Sequence, residues 1–267
     1  MLELILPILL AGFILSGILT YFGSHIIRRG IIFVDLALAQ TVAMGFALAM
    51  RLGMPQNSHK ALALALACAL VVSLVFSALG KISHLVNPEA FIGFIYVLMI
   101  ALTFIALAKV PDGLEEIEHL LNGNILYAGY PELLRAFGLF FLVGLFHLKF
   151  HNKFYEENQS FFWNFLFFLT FSLVVINAVT LGGVFLTFSF LIITALSGFL
   201  FSSKTWVILI IGWIIGIFAT ILGALLSFKA DLPASPAIIV LLGGIFLICL
   251  VFKLRKFPEK NTGSGNR

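Results

Sequence analysis

Asp35, Gln40 and Thr41 stand close together in an otherwise apolar stretch. A carboxylate, an amide and a hydroxyl all want partners that hydrocarbon does not supply. A charged group near a bilayer centre costs about 2.5–3.5 kcal/mol on insertion scales. One reading places these three along a path for a polar solute. A second pairs Asp35 with Arg28 or Arg29, about 9 Å away along a helix rising 1.5 Å per residue. Two further groups carry chemistry-bearing side chains. Glu115, Glu116, Glu118 and His119 form an acidic segment in which Glu115 and His119 share a helical face at i and i+4. No third strong metal ligand follows at that spacing, so a solvated face that receives another protein, as a docking or gate element, is the favoured reading. His147 and His151 repeat the i, i+4 spacing beside Lys149 and Lys153. Two imidazoles among lysines make a poor cation site and read as surface residues. Phosphate-cradling G-x-x-x-x-G-K-[ST], H-E-x-x-H and G-x-S-x-G are all absent from the sequence, so ATP binding by a P-loop and intramembrane hydrolysis have no motif to rest on.

The elements that must position these residues are membrane spans. The chain has 267 residues, 61% hydrophobic and 10% charged, and a mean hydropathy of +1.14. Crossing the hydrocarbon core takes roughly 20 apolar residues in a helix. The pattern predicts nine spans, near 4–23, 31–51, 61–80, 91–109, 131–147, 162–180, 183–201, 205–227 and 237–253, with eight or ten as the neighbouring readings. These runs are apolar all round and lack the alternation of a barrel strand, so the fold class is all-α, a polytopic helical bundle. Gly182-Gly183 marks a place where one span turns straight into the next. No segment between spans is long enough for a core of its own. Residues 1–253 therefore read as one transmembrane domain, and 254–267 as a basic, flexible cytoplasmic tail. The first span lacks a basic n-region and a small-residue cleavage site, so it reads as retained. Cys68 and Cys249 each lie inside an apolar run and read as buried structural thiols.

With the N-terminus outside and nine alternating spans, eleven of the 16 Lys and Arg fall on the inner side and five on the outer. That bias satisfies the positive-inside rule. It also accounts for the +4 net charge without a nucleic-acid partner. The segment around Glu115–His119 is then outer, and residues 147–160 form an inner polar handle.

Several segments together resemble the membrane permease subunit of zinc/manganese/iron ABC importers. Arg28-Arg29-Gly30 to Gly45 is similar to that family's arginine-led span with an Asp-Ala-x-x-His-Ala-x-x-x-Gly pattern. Glu118 to Leu126 resembles its Gly-Asn-Ile-Leu signature. Gly183 to Gly198, and Leu226-Ser227-Phe228 with Asp231 to Val240, look like its later signatures, and Phe154-Tyr155-Glu156-Glu157 resembles its cytoplasmic coupling segment. The resemblance implies a type II importer fold in the bacterial-type cytoplasmic membrane. It also implies an ABC ATPase subunit docked at Phe154, Tyr155, Glu156 and Glu157, an extracytoplasmic metal-binding protein, and a second permease, most simply another copy of this chain. The chain itself would be no enzyme and need no cofactor. The matched positions depart from the family where they matter most. Its metal-path Asp and His fall on Leu36 and Gln40, Asp35 stands one residue early, and Thr194 replaces a proline. The residues alone also leave open an importer for a metal chelate or other small solute, and an ATPase-free secondary transporter or channel.

Overall fold

A computed structural model describes residues 2–55, 58–111, 113–123, 125, 129–155 and 160–256. Its helices are α1 (Leu2–Arg29), α2 (Val34–Arg51), α3 (His59–Ile82), α4 (Pro88–Leu107), α5 (Gly113–Asn122), α6 (Tyr130–Lys149), α7 (His151–Tyr155), α8 (Phe161–Phe201), α9 (Thr205–Ala230) and α10 (Ala234–Lys256). Several starts are set by local chemistry. The Ala61 amide donates to Ser58 Oγ at 3.1 Å at the head of α3. The Ala90 amide does the same to Asn87 Oδ1 at 3.1 Å, with Pro88 opening α4. Both remove an orphan donor that a helix N-terminus would otherwise leave bare. Asp231 closes α9 in the left-handed region at φ 51°, while Ser227 Oγ donates to the Leu232 carbonyl at 2.6 Å.

Eight of these helices are long and apolar enough to cross a membrane. The 41-residue α8 is the exception in form. Straight, it would reach about 60 Å, twice the hydrocarbon thickness. It breaks at Gly183, where φ is 82° and ψ is 170°, a region open in practice to glycine alone. Contacts with α1 show what the break does. Asn164 meets Arg29 and Phe171 meets Phe22, so residues 161–182 run antiparallel to α1. After Gly183 the direction reverses, with Thr194 beside Thr20 and Phe199 under Arg28. The helix is thus a hairpin of two limbs, and counting those limbs separately the described residues hold nine long apolar segments, the number the apolar pattern predicts.

Small residues bring the helices close. A Cβ on Gly45 would stand 2.5 Å from Ala65 Cα, and one on Gly216 would meet Ser16 Oγ at 2.2 Å. Lipid tails are as apolar as leucine, so van der Waals contact and hydrogen bonds, not water exclusion, hold such crossings together. Thr20 Oγ1 and Thr194 Oγ1 lie 2.8 Å apart, and Ser73 Oγ and Ser172 Oγ the same distance. Pairs of this kind contribute on average about 0.6 kcal/mol in membranes. Thr194, at the position where the resembled family has proline, therefore serves as a bridge to α1.

Candidate functional site

The polar face around Asp35 begins where α1 turns into α2. Phe33 precedes α2 and provides no side-chain cap of its own. The cap comes from α4: the Phe33 amide donates to Glu89 Oε1 at 3.1 Å. Asp35 sits in the first turn of α2, where the aligned peptide dipoles favour a negative group. Its side chain is 1% exposed, and neither carboxylate oxygen has a hydrogen-bond partner among the described residues. Glu89 Oε2 is in the same condition. The two arginines turn elsewhere. Arg28 donates to the Ser203 carbonyl at 2.6 Å and to Thr205 Oγ1 at 3.3 Å. Arg29 donates to Asn164 Oδ1 and to the Phe154 carbonyl, both at 3.3 Å, and lies 3.9 Å over the Phe167 ring.

Gln40 and Thr41 are also buried. Thr41 Oγ1 donates to the Ala37 carbonyl at 2.7 Å, so its hydroxyl proton is committed to its own helix. On a helix with 3.6 residues per turn, Gln40 lies about 140° round from Asp35 and Thr41 about 120° the other way. The three share one enclosed helix but not one face. Most of α2 is buried, with α3, α4 and α8 packed around it.

At the arginine end, the polar handle is built differently from the sequence expectation. His147 is not a surface residue: it is 1% exposed. Leu133, Ala136, Phe140, Val143 and His147 are the buried positions of α6, and their spacing of three and four is a single inward stripe. Lysines next to His147 in sequence point away from that stripe, which is why composition alone misplaced it. Tyr21 Oη lies 3.1 Å from His147 Nδ1, and Thr170 Oγ1 lies 2.8 Å from Nε2. His25 is buried beside them, its ring 4.7 Å from Tyr21 and 5.7 Å from Phe167. It escaped the sequence reading because α1 runs on to Arg29, past the end of its apolar run. Among the described residues no cluster of three or more His, Cys, Asp or Glu is arranged to hold a metal.

Phe154, from the short helix α7, is likewise buried, and its ring stacks on His147 at 4.2 Å and 12°. Trp163 meets it edge-on at 5.5 Å. Phe154 faces the bundle, so within the Phe154-Tyr155-Glu156-Glu157 segment it is the anchor. Glu156, Glu157 and the Tyr155 side chain lie outside the described residues.

At the opposite end, α5 presents Glu115 and Glu118 to the outside. The side chains of Glu116 and His119 lie outside the described residues. The C-terminus of α5 meets the α8 hairpin backbone to backbone. A Cβ on Gly123 (φ 56°) would fall 2.2 Å from the Gly183 nitrogen, and one on Gly183 would fall 2.4 Å from the Gly123 nitrogen. Each glycine is required twice, by its dihedral and by the other's approach.

An apolar groove of about 360 Å³ lies between α1, α6 and α9. Its wall is aromatic and aliphatic, with His147, His151 and Thr205 at the arginine end, so it does not offer the donor set of a bare cation path.

Comparison with known proteins adds the context that side chains cannot. Residues 1–253 match the ABC 3 transport family. Two curated relatives share 26% and 25% identity with this chain. They come from Chlamydia trachomatis and Chlamydia muridarum, and each is named "Probable metal transport system membrane protein". Both alignments cover 94% of this chain and 89% of the relative. Among solved structures, PsaBC from Streptococcus pneumoniae in complex with Fab superposes with a TM-score of 0.76 at 20% identity, covering 95% of this chain and 94% of that one. An inward-facing structure described as a metal-chelate type ABC transporter gives 0.67 at 17% identity, covering 92% and 85%. At these identities the two structures bear on the fold alone.

Proposed function

The chain belongs to the ABC 3 transport family, a multi-pass membrane permease of an ABC transporter, and on that premise we propose that it imports a divalent transition metal such as zinc, manganese or iron. The observation that carries the cargo is the match along almost the whole chain to relatives named for metal transport. The sequence motifs quoted above support the same reading. ATP hydrolysis belongs to a separate ATPase subunit. That subunit sits at the arginine end, against α7 and the segment Phe154, Tyr155, Glu156 and Glu157, which by the positive-inside bias is cytoplasmic. A binding protein delivers the ion to the other end, where Glu115, Glu116, Glu118 and His119 receive it and the three carboxylates raise the local cation concentration. A second copy of the chain completes the path.

Asp35, Gln40 and Thr41 stand on different faces of the cytoplasmic half of α2, so one path can be lined by one of these faces and not by all three. Asp35 is the strongest of them, because a buried carboxylate without a protein partner is costly unless something positive visits it. Leu36 and Gln40 cannot supply the carboxylate and imidazole of the resembled family. This departure favours a second reading, in which the ion travels as a chelate and needs fewer protein ligands.

Radiolabelled zinc and manganese uptake tests both readings. Cells lacking the chain should lose most uptake of at least one ion. Restoring the natural chain should recover it, and an Asp35→Leu chain should recover it less than one-tenth as well. Unchanged uptake of both bare ions, with loss of a chelated metal, would turn the assignment to the second reading.

A further inference from the structure

We propose that His147 is a positioning residue that joins the short helix α7 to the membrane bundle, so that displacement of α7 is handed to α1 and α8 through one imidazole ring. The inference rests on the reading of α7 as the seat of the ATPase subunit.

The ring is held from three directions by three different helices. The Thr170 hydroxyl has one proton and offers it to the carbonyls of Leu166 at 2.8 Å and Phe167 at 3.0 Å. Towards His147 it therefore accepts, which makes Nε2 the donor at 2.8 Å. Nδ1 is left to accept from the Tyr21 hydroxyl at 3.1 Å. One edge of the imidazole is thus tied to α8 and the other to α1. The flat face carries the Phe154 ring of α7 at 4.2 Å, nearly parallel at 12°. Only Phe150 separates α6 from α7, with its amide donating back to the Phe146 carbonyl at 3.1 Å. Arg29 ties the same joint from behind by donating to the Phe154 carbonyl.

A phenylalanine at 147 would fill the site and stack on Phe154 equally well. What it would lose is direction: two hydrogen bonds fix the ring's rotation and so fix which way α7 can push. Satisfied buried polar groups specify one arrangement, where apolar packing alone tolerates several. A ring that only filled space would leave coupling untouched when its hydrogen bonds were removed.

The test uses the whole importer, permease with its ATPase subunit, reconstituted in lipid vesicles and supplied with radiolabelled zinc or manganese. Tyr21→Phe and Thr170→Val each remove one bond to the ring and keep its size and packing, while His147→Phe keeps the stack and removes both. We expect each complex to assemble and to hydrolyse ATP within twofold of the natural rate. Ions moved per ATP should fall at least threefold in Tyr21→Phe and Thr170→Val, and further in His147→Phe. A Lys153→Cys chain, cross-linked to the ATPase subunit, reports independently whether α7 is the seat. A cross-link with an unchanged ion-to-ATP ratio in all three variants overturns the inference alone. Failure to cross-link overturns the seat, and the inference falls with it.

Discussion

The two ends of this bundle are fastened by opposite means. At the arginine end the fastening is made of side chains: Arg29, Tyr21, His147, Phe154, Trp163 and Phe167 interlock through rings and hydrogen bonds around α7. At the other end it is made of backbone, with Gly123 and Gly183 pressed together and no side chain between them. The contrast teaches what each end can do. A joint of long side chains transmits a push and tolerates small rearrangement. A glycine-to-glycine contact tolerates none, and it fixes where the α8 hairpin turns and where α5 docks. In a permease driven from one side, the pushed end has to be compliant in a defined direction, and the far end has to open as a unit or stay shut.

The largest effect is expected at the glycine contact. Gly183→Ala would place a Cβ 2.4 Å from backbone that cannot step aside, and would do so at a dihedral region closed to alanine. Strain and overpacking each cost about 1–3 kcal/mol. Little folded protein should be recovered, and what is recovered should lose its midpoint of thermal unfolding in detergent by several degrees. Normal yield and midpoint would show that the two ends are not so different.

Phe154→Ala comes next. Removing a buried phenylalanine costs roughly 3–5 kcal/mol in a core that cannot collapse, but here the loss is confined to a five-residue helix at the periphery. The spans should survive, while amides of residues 151–155 exchange with solvent at least tenfold faster by hydrogen–deuterium exchange. Uniform destabilisation of the whole bundle would mean that α7 is part of the core and not a joint. The smallest effect belongs to the acidic face of α5. Glu115→Gln with Glu118→Gln should change stability by less than about 0.5 kcal/mol, as exposed substitutions do. Its effect should fall instead on the salt dependence of binding-protein association.

Much of this arrangement is legible in the sequence, for reasons that differ by region. Apolar length locates the spans because the bilayer is a stringent solvent, and Gly182-Gly183 betrays the hairpin because little else turns a helix so tightly. The Asp231-Leu232-Pro233 turn is legible too, since an aspartate tolerates the left-handed region and proline cannot continue the helix. The arginine end is less legible. His25 and His147 lie where helices outlast the hydrocarbon, beside basic residues that suggest a surface. For His147 the inward stripe of α6 held the missing signal, with Leu133, Ala136, Phe140 and Val143 at spacings of three and four. Glu89 capping α2 from α4 has no local trace at all, because 56 residues separate it from Phe33. Nor does sequence show that Asp35 lacks the arginine partners that stand six and seven positions before it.

The central claim is that this permease moves metal only when a separate nucleotide-hydrolysing chain drives it. The most direct measurement is accumulation of radiolabelled zinc and manganese in proteoliposomes holding the permease, with and without the ATPase subunit, the binding protein and ATP. Concentrative uptake is expected with all of them present and is expected to vanish when the ATPase subunit or ATP is withheld. Uptake against a gradient by the permease alone would contradict the claim outright.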